Sequence, residues 1–319
     1  MVATITRLLL VIQLAVAAGL FSLGVRIWPG MSPLLLAVTS VGLVILFRFG
    51  ITANNFLLAS RFQSDTPAGY QLTHRQACRL LIDEFTATMT SSSWSMPFFA
   101  FRQRPGSNPV GLPVLLIHGY GCNSGYWHSM SKVLAKARIT HHAVDLEPVF
   151  ADIKDYVPML HAAVDTLRKA CGCERIIIVA HSMGGLAARA YLREHGTDAI
   201  AKVITLGTPH KGTGLANFGF GPNSRQMRWR GNAIDGTPSD WLREMQRSEG
   251  DVIYRLFVSI YSHHDNIVSP QTSSYLPGAL NLEFQGIGHV ALALNPVIQQ
   301  QVVEEIRRAS GLLPPAAVE

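Results

Sequence analysis

Residues Ile176-Ile177-Ile178-Val179-Ala180-His181 make an apolar, β-branched run that breaks at Ser182-Met183-Gly184-Gly185 into the helix-forming stretch Leu186-Ala187-Ala188-Arg189-Ala190-Tyr191-Leu192. Such a run suits a strand buried on both faces, as in a parallel sheet covered by helices. The abrupt change of pattern predicts a sharp strand-to-helix turn with Ser182 at its apex. That geometry, usually written G-x-S-x-G, exposes a serine oxygen as a nucleophile. Here the first glycine is Ala180, still small enough for the helix to approach the strand. Serine ahead of a helix is also the ordinary N-cap, so the surrounding residues must separate the two readings.

A serine hydroxyl needs a neutral imidazole to take its proton and a carboxylate to orient that imidazole. In one hydrolase arrangement these follow in the order serine, acid, histidine. The segment Asp251 to Tyr261 reads as a buried strand and puts Asp265 in the loop beyond its carboxyl end. Leu280 to Gln285 alternates as another strand and leads into Gly286-Ile287-Gly288-His289. His289 is the only histidine after Asp265, whereas Asp145, ending the strand-like Ala143-Val144, competes for the acid's role. Val114 to Gly121 supplies a strand and a glycine-rich turn, so the backbone N–H groups of Tyr120 and Met183 are assigned to an oxyanion hole. His118 and His181 adjoin these turns and are expected to pack beneath them; His210 and Lys211 are read as shaping a nearby loop. No His, Cys or Asp cluster has zinc-ligand spacing and no HExxH helix is present, so neither a metal nor another cofactor is expected.

Leu116 to Gly121, Val179 to Gly185, Ile204 to Thr213, Ser262 to Val268 and Gly286 to His289, taken in this order, resemble the α/β-hydrolase superfamily, and within it bacterial triacylglycerol lipases and esterases. The resemblance covers roughly residues 109 to 310. It implies a mostly parallel sheet with helices on both faces and a lid insertion. Ser182, Asp265 and His289 match the family's nucleophile, acid and base, and Tyr120 and Met183 its oxyanion positions.

The amino end carries a second constraint. Residues 8–25 and 27–47 contain no Asp, Glu, Lys or Arg, lengths suited to membrane helices of about 20 residues. Ile27 to Pro33 separates them as a turn, so residues 1–52 are expected to form a membrane-anchoring helical hairpin. A cleavable signal peptide over the first run, with Ala15-Val16-Ala17 as its small-residue site, is the competing reading. Arg7 before the hairpin and Arg48, Arg61, Arg75 and Arg79 after it, against Arg26 in the turn, place both ends and the catalytic domain on the cytoplasmic side. Four cysteines in 319 residues do not resemble a disulfide framework. The net charge of +6 suits proximity to anionic lipid, and without a dense basic run interleaved with aromatics no nucleic-acid partner is expected.

Residues 53–108 read as a linker with an amphipathic helix over 72–90 and a strand over 97–102, ended by a turn at 104–108. Residues 109–319 then alternate as an α/β catalytic domain. Strands are expected at 113–118, 140–145, 175–180 and 202–206, and helices at 125–138, 153–171, from 184, and at 296–310. An insertion at about 212–250 is longer than an ordinary connection. Its Phe218, Phe220, Trp229 and Trp241 are expected to line an acyl pocket, with Arg225, Arg228 and Arg230 facing solvent or headgroups; an irregular surface loop is the plainer alternative. Together these features point to a serine hydrolase of carboxylic esters acting on an ester or lipid substrate beside membrane lipid. The same residues serve an acyltransferase, and a hydrolase-like binding protein without catalysis is the non-enzymatic alternative. The sequence does not determine the oligomeric state.

Overall fold

The computed structural model describes residues 1–106 and 108–314. Ser107, within the predicted turn at 104–108, and residues 315–319, the end of the predicted catalytic domain, lie outside the described residues. Two helices, α1 (Val2–Ile27) and α2 (Pro33–Ala59), pack against each other at the amino end. Each is long and apolar enough to cross a membrane, and both keep most of their surface exposed. Helix α2 starts with Pro33 at its first position, where the missing N–H is no loss. It runs to Ala59, past the hairpin boundary predicted at residue 52.

Polar side chains fasten this pair to residues 92–97. The Arg48 guanidinium donates to Gln13 of α1 (3.0 Å) and to the hydroxyls of Ser93 (2.6 Å) and Ser92 (2.5 Å). Arg7 Nε donates to the Pro97 carbonyl at 2.8 Å. Helix α3 (His74–Thr90) opens on a capping box in which Thr73 and Gln76 satisfy each other's backbone N–H groups. The chain continues through a π-helical turn, Ser91–Ser95, into the short α4 (Met96–Phe98). The strand predicted over 97–102 is therefore not formed. Pro97 sits in the first turn of α4, where proline is tolerated, and strand pairing begins only at β1 (Gln103–Arg104).

The sheet domain is built on β2 (Val114–Ile117), α5 (His128–Lys136), β3 (His141–Val144), α6 (Val157–Cys171), β4 (Ile176–His181), α7 (Met183–His195) and β5 (Ile200–Leu206). An insertion comes next, carrying α8 (Gly221–Gln226), the hairpin β6 (Trp229–Arg230) and β7 (Thr237–Pro238), α9 (Asp240–Ser248) and α10 (Asp251–Tyr254). Strands β8 (Phe257–Ser262) and β9 (Leu280–Phe284) and helix α11 (Pro296–Ala309) complete it. The sheet order is β1-β3-β2-β4-β5-β8-β9, parallel except for β1 against β3. Strands β2 and β4 are buried at every position, as the apolar runs predicted. One apolar core lies under α6 and α7 and another under α5 and α11, so both faces are covered. Because the chain passes from β2 outward to β3 and then returns to β4 on the other side, the carboxyl ends of β2 and β4 flank a switch in winding direction. In open α/β sheets ligands bind at such a point.

The predicted strand at Asp251–Tyr261 forms only from Phe257. Its first part is helical in α10, a run too short for periodicity to separate strand from helix. The Tyr254 hydroxyl there donates to Glu249 Oε2 at 2.8 Å. Glu249 meets Arg189 of α7 in a buried ion pair, with Arg189 Nε 3.0 Å from Oε1 and Nη2 2.5 Å from Oε2, while Nη1 donates to the His210 carbonyl at 2.9 Å. The pair ties the end of the insertion to the helix that begins at Ser182. Removing one partner strands a buried charge, which costs about 3–5 kcal/mol. Glu249→Gln should accordingly lower the thermal unfolding midpoint well beyond an exposed control such as Glu244→Gln, measured by calorimetry on the full chain; equal midpoints would count against the pair as an anchor.

Candidate active site

Ser182 lies between β4 and α7 with φ 54° and ψ −128°, a left-handed backbone that a residue with a Cβ rarely adopts. Strain of this kind persists only where its surroundings enforce it. The Ser182 N–H donates to Leu206 of β5 at 2.9 Å, and the Thr208 hydroxyl donates to the Ser182 carbonyl at 2.9 Å. Two glycines make room: a Cβ on Gly184 would lie 2.5 Å from the Ile117 carbonyl oxygen, and one on Gly119 would lie 2.9 Å from Ser182 Cβ. Thus the turn after β2 and the start of α7 approach each other closely enough to bring Tyr120 and Met183 to the same place. Met183 is the first residue of α7, where backbone N–H groups have no intrahelical acceptor.

His118 explains the orientation on the β2 side. Its Nε2 accepts the Leu146 N–H at 3.0 Å, so its Nδ1 carries the proton and donates to the Gly119 carbonyl at 2.8 Å. That carbonyl belongs to the same planar peptide as the Tyr120 N–H. Holding one end therefore aims the other. Burial keeps His118 below the ordinary imidazole pKa and hence neutral.

Asp265 and His289 come together at the ends of β8 and β9. His289 Nδ1 lies 2.7 Å from Asp265 Oδ2, with both residues buried. The other carboxylate oxygen, Oδ1, accepts the N–H groups of Ile267 (2.8 Å) and Val268 (2.7 Å), which fixes the carboxylate plane. Asp145 does not take part: it accepts the Ser124 N–H at 2.6 Å on the far side of β2. Burial works against a charged His289, but the charge and hydrogen bond of Asp265, joined by the charge of Glu84, raise its pKa above the ordinary imidazole value. His181, next to the serine, donates from Nε2 to the His289 carbonyl at 3.0 Å, and the two rings lie 4.6 Å apart. Its pKa is driven well down by burial and by the neighbouring His289, so it stays neutral.

Ser182 opens on a mostly apolar cavity of about 240 Å³ lined by Tyr120, Leu215, Phe218, Met227, Ile267 and Val268, and also by Asn55 and Leu58 of α2. Of the four aromatic residues expected to line an acyl pocket, only Phe218 does so. Trp229 is buried beneath its hairpin and donates from Nε1 to Asn232, Trp241 packs against the core, and Phe220 is exposed. Phe220 contributes through its backbone, which exchanges two hydrogen bonds with the Tyr120 hydroxyl, at 2.8 and 3.1 Å. Arg225 and Arg230 are exposed as expected, while Arg228 is half-buried. Sequence reasoning missed the contribution of α2 and that of Glu84 in α3. Glu84 had a legible signal, because it falls on the same helical stripe as Leu80 and Ala87, a charged residue where the pattern calls for an apolar one.

The raised proton affinity of His289 yields a direct check. Titrated by NMR, its imidazole should show a pKa above the ordinary imidazole value, and Asp265→Asn should move it downward; an unmoved value would deny the coupling.

Comparison with known proteins agrees with the fold. A family described as alpha/beta hydrolase fold matches residues 113–255. Triacylglycerol lipases from Pseudarthrobacter phenanthrenivorans and Burkholderia plantarii are each 28% identical over 114 residues, 33% of this chain. The matched stretch spans only 35% and 32% of those relatives' lengths. The structure of a Bacillus licheniformis lipase in mature form superposes with a TM-score of 0.54 at 18% identity, covering 65% of this chain and 97% of that one. Its propeptide form gives 0.55 at 19% identity, covering 69% and 54%. Strand order, the strained serine turn and these matches lead to one assignment: the chain has the α/β-hydrolase fold.

Proposed function

We propose that this chain is a membrane-anchored serine hydrolase that cleaves carboxylic esters, a lipase or esterase, through a Ser182–His289–Asp265 triad. The observation that carries the reading is the buried Asp265–His289 pair at 2.7 Å beside a strained serine that opens on an apolar cavity. The names of the relatives, triacylglycerol lipase and lipase, support the substrate class.

His289 Nε2 takes the Ser182 hydroxyl proton as the serine oxygen attacks the ester carbonyl carbon. The Tyr120 and Met183 N–H groups stabilise the resulting oxyanion, each worth on the order of 3 kcal/mol in the transition state. His289 then passes its proton to the departing alcohol oxygen, leaving an acyl group on Ser182. A water molecule gives a proton to the same imidazole and attacks the acyl carbon, releasing the acid and restoring the serine. Asp265 keeps its charge throughout, holds the productive tautomer and stabilises the imidazolium.

Helices α1 and α2 serve as the anchor in this reading, supported by their length and apolarity. The carboxyl end of α2 walls the cavity through Asn55 and Leu58, so an acyl chain reaching Ser182 lies against the same helix that enters the bilayer. The charge pattern favours a cytoplasmic catalytic domain.

Full-length protein treated with a fluorophosphonate should label covalently, and Ser182→Ala should lose both the label and, by on the order of 10⁴-fold or more, ester hydrolysis. A label that survives in Ser182→Ala refutes the nucleophile, and an unlabelled, folded wild type favours a binding protein. Filling the cavity with Leu58→Trp should reduce kcat/KM for an octanoyl ester more than for an acetyl ester; equal losses would place the acyl chain elsewhere.

A further inference from the structure

Every backbone polar group from the His289 N–H to the Ala291 N–H is held by a side chain from another segment. The His289 N–H donates to Asn266 Oδ1 at 3.0 Å, and its carbonyl accepts from His181 Nε2 at 3.0 Å. The Val290 carbonyl accepts from the Tyr126 hydroxyl at 3.0 Å. The remaining two donors, the N–H groups of Val290 and Ala291, go to one residue: Glu84 Oε1 takes the first and Oε2 the second, both at 2.9 Å.

Glu84 belongs to α3, outside the strands and helices of the hydrolase sheet, and it is only 1% exposed. Burying a carboxylate is costly unless it is hydrogen-bonded. An exposed Ser or Asp would cap the turn at Val290–Ala293 more cheaply, so a simple cap does not account for a buried charge here. Neither would glutamine serve as well, since its NH₂ group would face one of the two N–H donors. Gly288 leaves room for the carboxylate: a Cβ there would lie 2.6 Å from Glu84 Cδ.

We propose that Glu84 is a positioning residue for His289, its buried carboxylate clamping the two amides after the imidazole and placing a negative charge behind the ring. The inference rests on the Ser182–His289–Asp265 triad reading. The ionisable groups facing His289 come from each packed element: Asp265 from the β8 loop, His181 from the end of β4, Tyr126 ahead of α5, and Glu84 from α3. His181 is neutral and so is the Tyr126 phenol, whose pKa burial raises far above neutrality. The charges that favour an imidazolium at His289 are thus Asp265 and Glu84. Burial, and to a lesser degree the Asp265 charge, raise the Glu84 pKa as well, while the two amides and His289 oppose that rise. A carboxylate that only braced the loop would alter the rate without moving the pH at which His289 titrates.

The test is the rate of fluorophosphonate labelling of the full chain in detergent micelles as a function of pH. Glu84→Gln removes the charge and one acceptor; it should label about tenfold more slowly, with the acid limb displaced to lower pH. Glu84→Asp keeps the charge but shortens the reach, and it should slow labelling while leaving the limb in place. The adjacent exposed Asp83, paired with Arg79 at 3.4 Å, is the control, and Asp83→Asn should match the wild type. An unshifted limb or a wild-type rate in Glu84→Gln overturns the proposal. Should Glu84→Gln show no folding transition, Glu84→Asp decides, and a wild-type rate there overturns it. A wild type that does not label, or a label that persists in Ser182→Ala, defeats the triad reading instead, and is told apart because it appears without any change at residue 84.

Discussion

A hydrogen bond between two buried groups, the Asp265 carboxylate and the His289 imidazole, is the interaction on which the proposed chemistry depends. Buried carboxylates are tolerated only when their lone pairs are occupied, and here the occupants are two successive backbone amides on one oxygen and the imidazole on the other. That arrangement leaves Asp265 no alternative partner. It also leaves His289 with one free ring nitrogen, Nε2, and a raised proton affinity. The histidine is in turn held through its backbone by residues from four segments, so the angle of its ring is set by the fold as a whole and not by its own loop.

The sheet brings these parts together by simple means. Ser182, Asp265 and His289 lie beyond the carboxyl ends of β4, β8 and β9, and the turn bearing Tyr120 lies beyond β2, the immediate neighbour of β4. The amino-terminal segment also reaches the candidate site. Ala59, at the end of α2, accepts from the Ser269 hydroxyl at 2.7 Å, and Ser64 donates to Gln271, whose amide nitrogen donates to the Asp265 carbonyl at 2.9 Å. With Glu84 beneath the histidine loop and Leu58 in the cavity wall, helices outside the matched hydrolase region touch both the acid and base loops. The amino-terminal helices and the sheet domain therefore both contribute to the candidate site.

Much of this was legible in the residues. The apolar run at 176–181 fixes a strand buried on both faces, and the small residues beyond Ser182 announce a tight turn, because both signals are local. The order of Ser182, Asp265 and His289 along the chain could likewise be read from where each strand pattern ends. Local patterns fail where helix and strand make similar runs, as at 251–254 and at 97–102. They fail again for the cavity: which aromatic faces inward depends on how the insertion folds back, and Trp229 and Trp241 are used for packing within it. The wall supplied by α2 depends on contacts more than a hundred residues apart, for which no pattern exists. Glu84 is intermediate, since a charge on an apolar stripe is visible even though its partners are not.

The decisive experiment is a structure of the full chain determined after reaction with a long-chain alkyl phosphonate. A working triad requires phosphorus bonded to the Ser182 hydroxyl oxygen, a phosphonyl oxygen within hydrogen-bond reach of the Tyr120 and Met183 amides, and the alkyl chain against Leu58 and Phe218. Phosphorus on another residue, or an adduct on Ser182 whose oxygen faces away from both amides with His289 out of reach, would rule that triad out.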